Sequence, residues 1–120
     1  MDGICVSNHG GRVLETDITA MEVLDGIKNN IKSKTKLIID GGIRTGSDIF
    51  KCLSSGADYV AIGRPVIFGL AVNSNIGIEG FWNFIFKSLK QLCIFAASMI
   101  LIKLELKTLL VGLNKKARRF

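Results

Sequence analysis

Several features are scarce in this chain of 120 residues, and each scarcity excludes a class of protein. A single proline and a hydrophobic share of 48% exclude a disordered, proline-rich chain. The three cysteines, Cys5, Cys52 and Cys93, are odd in number and lack metal-ligand spacing, so we expect reduced thiols, no metal site and a cytoplasmic location. The N-terminus lacks the succession of basic, apolar and small residues typical of a signal peptide, so we expect none.

Acidic residues are scarce in the last third of the chain. Residues 1–78 carry eight basic and eight acidic side chains, so residues 79–120 supply the whole formal net charge of +6. We therefore predict two parts, 1–78 and a divergent, apolar and basic helical segment at 79–120. A basic segment can bind nucleic acid, but these charges alternate with apolar residues and have no aromatic stacking platform. This favours a solvated helix face with no nucleic-acid partner.

No apolar run is long enough to span a bilayer, which needs about 20 residues. The longest run, residues 92–102, is interrupted only by Ser98. It predicts a buried or interfacial helix, and its basic flanks leave contact with a membrane surface as an alternative.

Three short apolar runs predict β-strands at residues 3–6, 37–39 and 59–62, each ended by polar residues and glycine. Between them, a helical period from Ala20 to Ile27 predicts one helix, capped by Asp17 or Thr19 and ending at residues 29–30, and a second helix opens at residues 47–48. Alternating strands and helices predict a parallel sheet with right-handed crossovers. Because the strands are apolar throughout, we expect both sheet faces to be covered, with Cys5 and Cys52 as packing residues.

Glycine and arginine recur where two consecutive predicted strands end. Residues 40–48 read DGGIRTGSD and residues 63–65 read GRP. Glycines let backbone amides approach an anion, a helix N-terminus follows, and arginine adds charge-assisted hydrogen bonds. A phosphate site after the last two strands of a (β/α)8 barrel requires this pairing. The alternative is two tight turns with solvated arginines.

The first strand is followed by residues 7–12, SNHGGR, which contain the only histidine of the chain. A lone histidine beside glycines is often structural. At a strand end, however, the His9 imidazole can take a proton near neutral pH, and Arg12 can hold a carboxylate through two hydrogen bonds. Ser7 could donate a hydrogen bond to a cofactor ring.

Together, SNHGGR, DGGIRTGSD and GRP resemble, in order and spacing over residues 2 to about 70, the FMN-dependent α-hydroxy-acid oxidase and dehydrogenase family, which includes glycolate oxidase, lactate oxidase and flavocytochrome b2. The resemblance implies the last three βα units and the C-terminal helix of a TIM (β/α)8 barrel. It implies oxidation of a small L-2-hydroxy acid to the 2-keto acid, with hydride equivalents passing to FMN. It implies that His9 accepts a proton from the substrate and that Arg12 binds the substrate carboxylate. It implies cofactor contacts for Ser7, Asp40, Gly41, Gly42, Arg44, Gly63 and Arg64.

The family's first five strands are not matched here, and with them its substrate-contacting tyrosines, the aspartate that orients the histidine and the lysine beside the flavin. A barrel of this class needs about 250 residues. We therefore expect a fragment of the active enzyme, completed by a homo-oligomer or by a complementing N-terminal half-barrel. The alternatives are a non-catalytic remnant that binds FMN or phosphate, and a protein associated with a membrane surface. Outside the motifs, Glu15 stands where the family commonly has aspartate.

Overall fold

The computed structural model describes residues 2–12, 18–32 and 34–96. Its strands and helices alternate along the chain in this order: β1 (Gly3–Val6), α1 (Ala20–Asn30), β2 (Lys36–Asp40), α2 (Gly46–Ser54), β3 (Tyr59–Ala61) and α3 (Arg64–Phe95), with a short 3-10 turn at His9–Gly11. All three predicted strands are therefore present within a residue or two of their expected bounds.

The sheet is parallel throughout, with strand order β1-β2-β3. Because each crossover steps to the next strand in the same direction, right-handed connections place the helices on one face. Val6, Ile39 and Val60 form a row across that face, and all three are buried. On the opposite face, Cys5 is exposed and Ile38 is only half-buried. The prediction that both faces are covered, with Cys5 packed, is thus wrong for the described residues.

Helix α1 begins with a reciprocal cap between Thr19 and Glu22: the Thr19 hydroxyl accepts from the Glu22 amide, and the Glu22 carboxylate accepts from the Thr19 amide. Ala20 and Leu24 are buried against the sheet, whereas Val23 lies at the margin of the apolar stripe and is 36% exposed. Of the two predicted caps, Thr19 is the one that caps the helix, and Asp17 lies outside the described residues. The helix ends at Asn30, as predicted.

Helix α2 begins at Gly46, one residue before the predicted start. Its N-cap is Thr45, whose hydroxyl accepts from the Asp48 amide at 3.3 Å, while the Asp48 carboxylate accepts from the Thr45 amide at 2.9 Å. A threonine followed three residues later by an acid is a capping box, and it fixes this start. Cys52, predicted to pack, is 2% exposed.

Helix α3 is interrupted at Asn73–Ser74, where Ser74 has a φ of 44°. The chain folds back there: a Cβ on Gly69 would lie 3.0 Å from the Gly77 carbonyl oxygen, so glycine permits the close backbone approach. Beyond the turn, Ile85, Leu89 and Cys93 are buried in the same core as the sheet.

Lys87 and Lys90 on α3 are exposed, as expected for a solvated basic face. The apolar run at 92–102 is helical to Phe95, Ala96 is the C-cap residue of α3, and residues 97–102 lie outside the described residues, so the division at residue 78 stays a prediction. Within the described ranges, no helix combines the length and the apolar character that a bilayer crossing requires.

Candidate functional site

The loops that follow β1, β2 and β3 meet at one edge of the sheet, because parallel strands end on the same side. In parallel α/β folds this edge is where ligands bind. All nine residues predicted for the site lie in these loops or at the strand and helix ends next to them.

The loop after β1 is a left-handed turn. His9, Gly10 and Gly11 have φ values of 54°, 66° and 74°. The Gly10 amide donates to Asn8 Oδ1 at 3.1 Å, and the Gly11 amide donates to the Asn8 carbonyl oxygen at 3.0 Å. Asn8 thus closes the turn as an asparagine side chain does in an Asx-turn. His9 is a non-glycine residue in a region that favours glycine, and its side chain is exposed.

Ser7 joins the first two loops. Its hydroxyl donates to Asp40 Oδ2 at 2.8 Å and accepts from the His9 amide at 3.1 Å. The Ser7 hydroxyl proton is therefore directed at the carboxylate that ends β2. Gly41, with a φ of 104°, follows Asp40 and leaves room for Asn8: a Cβ there would lie 2.7 Å from Asn8 Oδ1.

Asp48 organises the start of α2. Its Oδ2 accepts from the Arg44 amide, the Thr45 amide and the Thr45 hydroxyl at 3.0, 2.9 and 2.9 Å. Partial burial opposes ionisation, but these hydrogen bonds outweigh it, and the pKa of Asp48 falls below its ordinary value. An ionised Asp48 therefore fixes the backbone that carries Arg44.

Arg64 follows β3 and begins α3. Its Nη2 donates to the Gly10 carbonyl oxygen at 2.8 Å, which joins the third loop to the first. Gly63 is the N-cap residue and supplies no side-chain hydrogen bond, so the first turn of α3 has no side-chain acceptor for its amides. Such a helix start is electrostatically suited to an anion.

These loops enclose an open cavity of about 220 Å³. Four predicted residues line it: Gly41, Gly42, Arg44 and Arg64. Among the described residues that line it, none carries a carboxylate and two carry a guanidinium, so this described lining is positively charged. The remaining lining residues, which sequence reasoning missed, are Asn8, Gly10, Gly11, Thr19 and Ala20. The available signal for Asn8 was an asparagine two residues before a glycine pair.

The other predicted residues lie around the cavity. Ser7 and Asp40 lie beside it and bond each other, and Gly63 lies at the start of α3. His9 and Arg12 are both exposed, neither lines the cavity, and no hydrogen bond of either side chain to another described residue is present. The structure therefore places four of the predicted cofactor residues around one cavity, which His9 and Arg12 do not line.

The residues fit the phosphate end of a flavin mononucleotide. Gly42 has a φ of 74°, and a Cβ there would meet no atom within 4 Å, so its backbone faces open space. Two guanidiniums, the open backbone of Gly42 and a helix start are a donor set matched to a dianion. Ser7 and Asp40 add a hydroxyl and a carboxylate that can contact polyol hydroxyls.

Parallel strands in sequential order, helices on one face and loops rich in glycine and arginine at the carboxyl edge are typical of a segment of a (β/α)8 barrel, in which helices lie outside and the other sheet face lines the interior. The family model described as FMN-dependent dehydrogenase matches residues 1–95. The chain belongs to the FMN-dependent dehydrogenase family, and FMN is the cofactor of that family. This confirms the resemblance carried by the three motifs.

Curated relatives are similar over the same region. An L-lactate oxidase of Lentilactobacillus hilgardii is 51% identical over 77 residues, which are 64% of this chain and 21% of the relative. A 2-hydroxyacid oxidase of Dictyostelium discoideum is 49% identical over 77 residues, or 64% of this chain and 20% of the relative. The chain thus spans about a fifth of the length of the curated relatives that it matches.

Solved structures show the same fold. A mandelate oxidase with benzoyl-formic acid superposes with a TM-score of 0.75 at 34% identity, covering 79% of this chain and 28% of that one. A lactate oxidase of Pediococcus acidilactici superposes with a TM-score of 0.74 at 42% identity, covering 79% and 26%. The partial-barrel prediction is confirmed.

Proposed function

We propose that this chain supplies the phosphate-binding and substrate-proton-accepting part of an FMN-dependent oxidoreductase that converts a small L-2-hydroxy acid of the lactate or glycolate class to the 2-keto acid. The observation that carries the proposal is the convergence of Arg44 and Arg64 on one glycine-lined cavity. The relatives named as lactate and 2-hydroxyacid oxidases support the substrate class.

FMN, when bound, supplies the two-electron acceptor of the reaction. Arg44, Arg64 and the backbone of Gly41, Gly42 and Gly63 hold its phosphate in this proposal. Asp40 and Ser7 contact the hydroxyls and ring, exchanging their mutual hydrogen bond for contacts to the cofactor. The charge of the two arginines that line the cavity supports this assignment.

His9 takes a proton from the substrate, and Arg12 binds the substrate carboxylate. An imidazole suits this task because a neutral ring nitrogen can accept a proton and later return it. Exposure of both side chains on this edge of the sheet leaves them accessible to a small acid. A carboxylate and a guanidinium pair through two parallel hydrogen bonds, which orients the substrate.

Catalysis in this proposal requires further strands. Both β1 and β3 are edge strands in the described sheet, and one sheet face is uncovered. Unpaired strand edges favour the addition of further strands. The remaining strands of the barrel, supplied by a complementing half-barrel or by another copy of the chain, would complete the pocket around His9.

A second candidate is a module that binds FMN or phosphate without catalysis. The observation in its favour is that the anion cavity is formed, while His9 and Arg12 have no side-chain hydrogen bond to a described residue. The two candidates share a cofactor site and differ in whether a hydroxy acid reduces the bound flavin.

Titration with FMN, followed by flavin fluorescence, tests the cofactor site. We expect Arg44→Gln to weaken binding about tenfold or more, since a charge-assisted contact contributes roughly 1.5–3 kcal/mol. Lys51→Gln is the control, because it removes an exposed charge from the adjacent helix α2, away from the cavity lining. Equal affinities of the two variants would show that Arg44 does not hold the phosphate.

Anaerobic addition of L-lactate or glycolate to the FMN-loaded chain then separates the candidates. Loss of the oxidised flavin absorbance supports oxidation of the hydroxy acid by this chain. Bound flavin that stays oxidised supports the second candidate, a module that binds FMN without catalysis. His9→Gln is expected to abolish any such reduction and to leave FMN affinity within about twofold, because His9 does not line the cavity.

A further inference from the structure

The backbone of Gly10 is held on both sides. Its amide donates to Asn8 Oδ1 at 3.1 Å, and its carbonyl oxygen accepts from Arg64 Nη2 at 2.8 Å. One contact comes from the loop after β1 and the other from the first residue of α3. Gly10 therefore links the loop after β1 to the start of α3.

Both contacts require glycine, which has no Cβ, at positions 10 and 41. A Cβ on Gly41 would lie 2.7 Å from Asn8 Oδ1, and a Cβ on Gly10 would lie 2.5 Å from Arg64 Nη2. These separations are too short for a methyl group, so the carboxamide and the guanidinium occupy the space that the two glycines leave. In contrast, a Cβ on Gly42 or Gly11 would meet no atom within 4 Å.

The residue beside this point is His9, whose φ of 54° is disfavoured for a residue with a side chain. Such a conformation persists only when the surroundings fix it. The His9 amide is bonded to the Ser7 hydroxyl, and the next peptide is bonded through Gly10. The side chain itself is exposed, so its direction is set by its backbone rather than by packing.

We propose that Asn8 and Arg64 are positioning residues for His9, acting through the two hydrogen bonds to Gly10. The proposal rests on the proposed function only in giving His9 a role as base; the positioning itself is a property of this chain. Because Arg64 also lines the anion cavity, an anion that recruits its guanidinium changes the hold on Gly10. Anion binding and the direction of the His9 imidazole are thereby coupled.

His9 is the only histidine, so its imidazole gives one identifiable set of NMR signals in the full chain at fixed pH. We expect Asn8→Ala to shift these signals and to accelerate hydrogen exchange of the Gly10 amide about fivefold or more, as loss of one hydrogen bond implies. Asn8→Asp keeps an acceptor oxygen at the same place and should restore both. Unchanged signals in Asn8→Ala, or an Asn8→Asp variant that behaves like it, would overturn the proposal.

Two glycine variants provide an independent test if Asn8→Ala fails to fold, as monitored by the fluorescence of the only tryptophan, Trp82. Gly41→Ala displaces the Asn8 carboxamide and should shift the imidazole signals. Gly42→Ala also places a side chain at positive φ but meets nothing, and should leave them near their wild-type positions. Equal shifts in the two variants would contradict the positioning role.

Inorganic phosphate is the probe for the coupling. Its addition should move the His9 signals of the wild-type chain and should move them several-fold less in Arg64→Gln. Phosphate-independent signals would refute the coupling. None of these measurements uses flavin or a hydroxy acid, so failure of the proposed oxidation leaves their outcome interpretable, and the reverse holds as well.

Discussion

Replacement of Gly46 by alanine is expected to destabilise the fold, although Gly46 is the first residue of a helix. Its amide donates to Ser88 Oγ on α3 at 3.0 Å, and the residue is buried at the contact between the two helices. A Cβ there would overlap Ser88 Oγ and the Leu89 amide nitrogen, and would lie 2.8 Å from the Ile85 carbonyl oxygen. Two of these three atoms are backbone atoms of a helix, so α3 as a whole must move.

The magnitude follows from three effects. Overpacking of a close contact costs roughly 1–3 kcal/mol. Loss of the Gly46–Ser88 hydrogen bond costs about 1 kcal/mol more. The better helix propensity of alanine returns up to about 1 kcal/mol. The expected net decrease in the free energy of unfolding is therefore about 1–4 kcal/mol, and the start of α2, next to Arg44, should be less rigid.

Gly26→Ala is the matched control. Gly26 lies in α1, is exposed, and a Cβ there would meet no atom within 4 Å. Only helix propensity changes, so we expect stabilisation of up to about 1 kcal/mol. Urea unfolding followed by circular dichroism measures both variants. If Gly46→Ala is neutral or as stabilising as Gly26→Ala, the described approach of α2 to α3 is wrong.

Three further outcomes are expected. The pKa of Asp48 is lower in the folded chain than in the unfolded chain, so its ionised form stabilises the fold. This contribution is complete above about pH 4, where the unfolded carboxyl titrates, and is lost as the pH falls through the folded pKa. In Asp48→Asn, the urea midpoint should therefore depend less on pH on the acid side. Burial raises the pKa of Cys52 to about 11, so a thiol reagent at pH 8 should label the exposed Cys5 many times faster than Cys52, which mass spectrometry of digested protein measures. Asp58 forms an ion pair with Lys36 at 2.7 Å and accepts from the Leu37 amide at 3.0 Å, so Asp58→Ala should lower the thermal midpoint by several degrees, whereas Lys36→Ala, which removes only the exposed ion pair, should change it little.

The local elements were predictable because each is specified by neighbours in sequence. Thr19 and Glu22, like Thr45 and Asp48, are three residues apart, so a capping box is visible without any tertiary information. Strand identity followed from short apolar runs. Local signals also placed the glycines and arginines at strand ends, and the parallel order then gathered Arg44 and Arg64 in one cavity.

The coverage of the sheet was not predictable from strand composition. Uniformly apolar strands are typical of a sheet with helices on both faces, and equally of barrel strands whose second face lines an interior. The sequential order β1-β2-β3 decides between them, since it places every crossover on one side. Cys5 lies on the other side and is exposed, and desolvation of its sulfur together with the charge of Asp40 raises the pKa of the thiol. The prediction that Cys5 is packed was therefore wrong because strand composition does not show on which side of the sheet the helices lie.

Contacts between strand ends were beyond the reach of pattern reasoning for a different reason. Arg64 and Gly10 are 54 residues apart, and Ser7 and Asp40 are 33 apart, so no local period links them. Their pairing requires the parallel register, in which Val6 lies opposite Ile39 and therefore sets the ends of β1 and β2 side by side. The same register explains why residues that resemble cofactor ligands also make contacts that hold the loops together. Ser7 and Asp40 satisfy each other, and Arg64 is satisfied by a carbonyl oxygen, so the groups that resemble cofactor ligands also hold the loops in place. An anion that binds Arg64 therefore exchanges the hydrogen bond to the Gly10 carbonyl oxygen for a new one, and the net gain from that contact is smaller than its geometry alone suggests.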